Sequence, residues 1–185
     1  MYKRQGEHSA AFVRFSRLAK QGNSEAMGFT GAMYLRGLGT RMQPDSGIFW
    51  LREGASRRDL QAMMTLASAY ENGEGVTHKL HLARDWFEKA VSFKSSREAM
   101  RRLGVLSRSE QNNDDALMWF TSAAKAGSVD ARVDVGELYE RGEGTARDLD
   151  VAECLYRTAA EAGSVRGMEM MARISRIGIG QSPDY

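Results

Sequence analysis

The chain is poor in several features, and each scarcity narrows its class. It contains one cysteine, Cys154, in 185 residues, so no disulfide can close within it and a reducing compartment suits it. No run approaches the roughly 18 apolar residues that cross a bilayer, and the opening "MYKRQGEHSA" lacks the apolar core of a secretory leader. A cytoplasmic location is expected, or a periplasmic one if a leader has been removed, with no membrane contact. Charge of neither sign dominates: 26 Lys and Arg stand against 24 Asp and Glu, a net charge of +2. That balance gives no general attraction to nucleic acid. Only Pro44 and Pro183 interrupt the chain, and no stretch alternates β-branched with polar residues, so strands are not expected. Ala, Met, Leu, Glu and Arg are frequent, as helices require.

What is present is a period. "YENGEG" at 70–75 returns as "YERGEG" at 139–144, with variants "YLRGLG" at 34–39 and "SRIGIG" at 175–180. The Gly-x-Gly pairs begin at Gly37, Gly73, Gly142 and Gly178, leaving one double gap. Phe15, Leu51, Phe87, Phe120 and Tyr156 form a column spaced by 36, 36, 33 and 36 residues, so the gap hides a fifth copy. Two small-residue columns run in register: Ala11, Gly47, Ala83, Ala116, Ala152, and Gly31, Ala67, Gly104, Gly136, Ala172. Small residues recur where helices must approach closely. The third copy departs at "SRSEQNND", where the glycines are replaced and the turn is shorter.

Within each copy the apolar spacing is helical, as in Ala11, Phe15, Leu18 and Ala19. First helices are expected near 10–20, 45–56, 79–91, 113–126 and 149–162, and second helices near 23–36, 59–72, 96–108, 129–141 and 165–177. Ser128 reads as an N-cap and Gly142 as a helix stop, Gly163, Ser164 and Gly178 repeat that grammar, and Ser95 with Glu98 offers a capping box. A lone hairpin cannot bury both of its apolar faces, so the copies must stack.

"ALMWFTSAAKAGSVDARVDVGELYERGEGTARD" at 116–148, with "ARDWFEKA", "LASAYENGEGV" and "AECLYRTAAEAGS", resembles the Sel-one-like repeat (SLR), a relative of the tetratricopeptide repeat. The resemblance covers roughly 10–185; it departs in the third turn and at Arg14, which stands where other copies have Trp50, Trp86, Trp119 and Leu155. It implies an all-α fold, a right-handed superhelix (solenoid) of about five helical hairpins. A polar segment 1–9 would precede units at about 10–44, 45–78, 79–112, 113–147 and 148–185.

Catalytic and ligand chemistry is thin. A phosphate loop needs a third glycine or a Lys-Ser/Thr pair, and His78, Met42 and Arg147 stand at the third-glycine position. The glycines therefore read as helix terminators. His78 and His81 form H-x-x-H without a third ligand, Cys154 has no histidine partner in sequence, and the carboxylates are scattered among basic residues. No metal or cofactor is expected, and no enzyme. Arg97, Arg101, Arg102 and Arg108 make one second helix basic, which without interleaved aromatics reads as a solvated face rather than a nucleic-acid site. The Trp column, and the methionine column Met27, Met63, Met100 and Met168, read as packing.

Function then falls to positions free to vary. Opposite the apolar face of the first helices lie the columns Val13, Phe49, Asp85, Met118, Cys154 and Arg17, Glu53, Lys89, Ser122, Thr158. Phe49 and Met118 are apolar there and rimmed by Arg52, Glu53, Glu88 and Lys89, the composition of a protein contact. Burial of Phe49 and Met118 by curvature is the competing expectation. The family resemblance implies that first helices line a concave groove holding peptides or partner proteins. The chain is therefore expected to be a non-catalytic scaffold or adaptor, with an inhibitor or immunity-type protein as a narrower form. A cell-envelope hydrolase is the alternative. "GIGQSPDY" matches the turn before a further hairpin, with Asp184 in the slot of Asp148. Ile174, Ile177 and Ile179 are expected to be uncovered there, a surface for self-association.

Overall fold

The computed structural model describes residues 2–177, with side chains from 7 to 176. Each described helix follows from local grammar. Asn23, Asp59, Ser96 and Ser128 have extended backbone, and each side chain accepts the N–H of the alanine three residues on, at 2.8, 2.7, 3.3 and 3.3 Å. Ser164 does the same for Gly167 at 3.1 Å. Such a cap contributes about 1 kcal/mol. These residues start α2 (Ser24–Arg36), α4 (Leu60–Asn72), α6 (Arg97–Ser109), α8 (Val129–Arg141) and α10 (Val165–Ile177). The intervening helices are α1 (Tyr2–Lys20), α3 (Pro44–Ser56), α5 (Leu80–Lys94), α7 (Asn113–Lys125) and α9 (Leu149–Glu161).

Two expectations change at the helix starts. The cap of α6 is Ser96, not Ser95, which lies in the turn before it at a φ of 42°. Helix α1 begins at Tyr2, so the polar residues ahead of residue 10 continue it; extending a helix by a few turns needs helix-compatible residues and no breaker, not an apolar stripe.

The Gly-x-Gly pairs divide their work between two tasks. Gly37, Gly73 and Gly142 end α2, α4 and α8 in left-handed backbone, their N–H groups donating to Met33, Ala69 and Leu138. The second glycine of each pair lies against the preceding odd-numbered helix: a Cβ on Gly75 would come within 2.8 Å of the Pro44 ring, and one on Gly39 or Gly144 would strike the backbone of His8 or Asn113. In the glycine-free third turn, α6 ends on Glu110 and the left-handed residue is Gln111, with Asn112 capping α7.

The chain forms two compact units, Met1–Lys94 and Ser95–Tyr185. In the first, each helix from α1 to α5 packs on its sequence neighbours, and α2 also touches α4. In the second, α6 to α10 repeat that arrangement, with α8 touching α10. The closest pairings join an even-numbered helix to the odd-numbered one that follows it: α2 with α3, α4 with α5, α6 with α7, α8 with α9. The small-residue and aromatic columns explain this. A Cβ on Gly31, Gly104 or Gly136 would lie 2.7, 2.6 or 2.6 Å from Leu51, Phe120 or Tyr156, so a missing side chain on one helix receives a large one from the next. Leu51, Phe87, Phe120 and Tyr156 are fully buried, while Phe15 is half-buried.

The methionine column is only partly core. Met27 and Met63 are buried, Met100 is half-buried and Met168 is exposed. Ile174, expected to be uncovered, is buried at 3% exposure in a cluster with Val133, Ala152, Tyr156 and Ala159. The side chain of Ile177, and Gly178, Ile179 and Asp184 entirely, lie outside the described residues.

Candidate functional site

The odd-numbered helices bury one stripe and present the opposite one. Val13, Phe49 and Met118 are 64%, 56% and 49% exposed, so packing does not cover them. Asp85, Cys154, Arg17, Lys89 and Thr158 of the same two columns are exposed too, and Glu53 and Ser122 are intermediate. Of the residues expected to form one surface, those on α3 and those on α5 line two different cavities of the first unit.

In the first unit, Phe49, Arg52 and Glu53 of α3 line a cavity of about 370 Å³ together with Tyr70 of α4. The Arg52 guanidinium donates to the Tyr70 hydroxyl at 2.8 Å, which orients it over the cavity. Phe49 stands edge-on to Trp50, with ring centroids 5.3 Å apart. Asp85, Glu88 and Lys89 of α5 line a second, larger cavity of about 860 Å³ between α5 and the C-terminal end of α3. Met63, Trp86 and Phe93 supply its apolar wall, and Arg58 stands in the turn after α3. The Lys89 ammonium lies 4.1 Å from the centre of the Trp86 ring.

Val13 and Arg17 on α1 line neither cavity. Met118 and Ser122 belong to α7 in the other unit, where the Ser122 hydroxyl donates to the Met118 carbonyl at 2.8 Å. Sequence reasoning treated Trp86 and Met63 as packing and passed over Arg58 and Phe93. A lysine three residues after Trp86 on one helix was the available sign, since that spacing puts both on one face.

The basic face expected on α6 is neutralised within the second unit. Arg101 donates to Asp134 at 2.6 Å and Arg108 to Glu137 at 3.1 Å, both on α8. From the other side, Arg166 of α10 bonds Asp134 at 2.5 Å and Glu137 at 2.6 Å. Arg173 pairs with Glu140, which also accepts the Tyr156 hydroxyl at 2.7 Å. Arg102 pairs with Glu98 on α6 itself. Helices α6, α8 and α10 are thus tied by an ion ladder whose middle rung, Asp134, is fully buried. Burial raises the Glu137 carboxyl, but the hydrogen bonds and charges of Arg166 and Arg108 outweigh it and hold the group below its ordinary value. Burial lowers Arg166, and Asp134 and Glu137 more than reverse that. Burial and the Glu140 carboxylate both push the Tyr156 phenol well above its usual range.

Among the described residues, no group of three or more His, Cys, Asp or Glu is placed to hold a metal ion, and no helix is long and apolar enough to cross a membrane. His78 and His81 line neither cavity of the first unit.

The Sel1 repeat pattern matches residues 24–59, 60–92, 97–128 and 129–164. Each match joins an even-numbered helix to the next odd one, the same pairs that pack most closely, and α1 and α10 flank the four. The chain is 30% identical over 127 residues to chitin synthase regulatory factor 4 of Schizosaccharomyces pombe, covering 68% of this chain and 20% of that protein. It thus spans about a fifth of that relative's length. It is similar in fold to c5321, described as a protective antigen of uropathogenic Escherichia coli strains displaying an SLR fold: the TM-score is 0.83 at 23% identity, over 95% of this chain and 38% of that one. A Sel1 repeat protein from Oxalobacter formigenes matches with a TM-score of 0.77 at 26% identity, over 88% of this chain and 67% of that one. With the pattern repeated four times along most of its length, on an all-α scaffold of the same fold, the chain belongs to the Sel1 repeat family.

Proposed function

We propose that the chain is a non-catalytic scaffold or adaptor that binds a peptide or protein partner on the outward faces of its odd-numbered helices. The observation that carries this reading is the exposure of Val13, Phe49 and Met118 in one repeated slot. Every repeat must solve the same packing problem, and the buried columns solve it. An apolar residue kept outside that solution in three copies is available for a contact, and large exposed apolar side chains rimmed by charge are how protein interfaces are anchored.

The two cavities of the first unit support the same reading. Their charged groups flank apolar walls. The relative in Schizosaccharomyces pombe is by its name a regulatory factor for an enzyme, which agrees with a chain that acts on another protein. An inhibitor or immunity-type role is a narrower form of the proposal. Affinity capture with the intact chain, compared with Phe49→Ala and Met118→Ala, tests it. A partner retained by the parent and lost from either variant, with the helical circular dichroism unchanged, is the expected result. Turnover of envelope polymers by the purified chain would overturn it in favour of a hydrolase.

A further inference from the structure

We propose that the larger groove of the first unit receives an arginine or lysine of a partner protein together with an adjoining bulky apolar residue, and that Lys89 holds the cation's place until that partner binds. The inference rests on the scaffold reading above and names the chemistry of one of its binding sites.

Three observations point there. First, Asp85 and Glu88 both line the groove, and neither makes a hydrogen bond or ion pair among the described residues. This contrasts with the second unit, where Asp134, Glu137 and Glu140 are all matched by arginines. Second, Asp85 and Lys89 stand four residues apart on α5 with the acid first, the order that favours an ion pair along a helix. The ammonium nevertheless lies over the Trp86 ring, 4.1 Å from its centre, and leaves the carboxylate free. The ring face is therefore already occupied by a cation, the kind of charge that an indole face favours. Third, Met63 and Phe93 continue the wall beyond Trp86, giving an apolar residue a place next to the cation.

Two free carboxylates beside an indole face suit a guanidinium above all. Its planar fork accepts bidentate pairing with a carboxylate while the plane stacks on the ring. From Asp85 to Phe93, α5 rises about 12 Å at 1.5 Å per residue, which accommodates three to four residues of extended chain at about 3.3 Å each. Arg58, in the turn after α3, and Lys89 balance Asp85 and Glu88 in formal charge, so the local placing of the two acids and the ring, not a net charge of the groove, selects the cation.

The test uses the full chain and an array of immobilised nonapeptides with a central phenylalanine or leucine flanked by arginine, alanine or glutamate. Retention of the arginine-flanked set over the other two is expected. The double change Asp85→Asn with Glu88→Gln should weaken that retention about two- to tenfold. Lys89→Met, by vacating the ring, should strengthen it about two- to fivefold. All three side chains are exposed, so folding is preserved and is checked by circular dichroism. Equal retention of the three sets, no retention of any, or a Lys89→Met chain that binds no tighter would overturn the proposal. If the arginine-flanked peptides fail while a captured partner still depends on Phe49, the scaffold reading stands and this site falls; if that dependence is absent as well, both fall.

Discussion

Gly136 and Tyr156 show how much of this fold is decided by a single missing atom. A Cβ added to Gly136 would lie 2.6 Å from the Tyr156 ring, and the ring is held in place by its hydroxyl bond to Glu140. Neither side can give way without distortion, so Gly136→Ala is expected to lower the unfolding free energy by about 1–3 kcal/mol in urea denaturation. Thr30 carries the opposite kind of imperfection. It is fully buried in α2, and its hydroxyl has no hydrogen-bond partner among the described residues. Thr30→Val keeps the shape and removes the stranded oxygen, and a gain of about 1 kcal/mol in the same assay is expected. Loss of stability in the valine variant would show that the hydroxyl is satisfied.

At the scale of elements, α8 is the rung on which the second unit's charges meet. Its Glu137 carboxyl is held below the ordinary value of 4.5, so its ion pairs stabilise the fold fully above that pH and are lost as pH falls through the lower folded value. Chemical denaturation between neutral pH and about pH 3 should show stability falling below about 4.5, and Glu137→Gln should flatten that fall. Asp59 acts with the other sign. Burial, aided by Glu25 and opposed by its bond from Ala62, raises it above 3.8, so the folded state binds its proton more tightly. Its contribution therefore favours folding as pH drops through its raised value, partly masking the loss from Glu137. Asp59→Asn keeps a capping side chain while removing this masking, so its acid decline should be the steeper one.

For the molecule as a whole, the proposed binding and the stability fall to different columns. Phe49 and Met118 lie in separate units and are 56% and 49% exposed, whereas the aromatic column is fully buried from Leu51 onward. Phe49→Ala and Met118→Ala should each leave the unfolding free energy within about 0.5 kcal/mol of the parent while reducing partner retention. A comparable loss of stability would place these side chains in the core instead. Because each helix packs chiefly on its sequence neighbours within its own unit, a change in one repeat should be felt there and in the adjoining helix of that unit.

Repetition is why so much was legible in advance. The helices, the Ser128 and Ser164 caps, the terminating glycines and the columns of small and aromatic residues are all local or fixed by the period, and a local rule stated several times over is hard to misread, although the cap of α6 fell one residue later than expected. The phase was not legible: a periodic string does not say whether a helix packs more closely on the one before it or the one after, and here Gly104 facing Phe120 decides for the one after. Exposure of Phe49 and Met118 was left open by the sequence for the same reason, since an apolar slot opposite the core stripe is covered or bare depending on how the neighbouring repeat lies. The ion ladder was invisible because Arg101, Asp134 and Arg166 come from three different helices and meet only after packing. Amino-acid order alone thus determined the helices and the unit that repeats; the tertiary structure decided which charges are neutralised and which stay free, because that depends on distances between side chains about thirty residues apart.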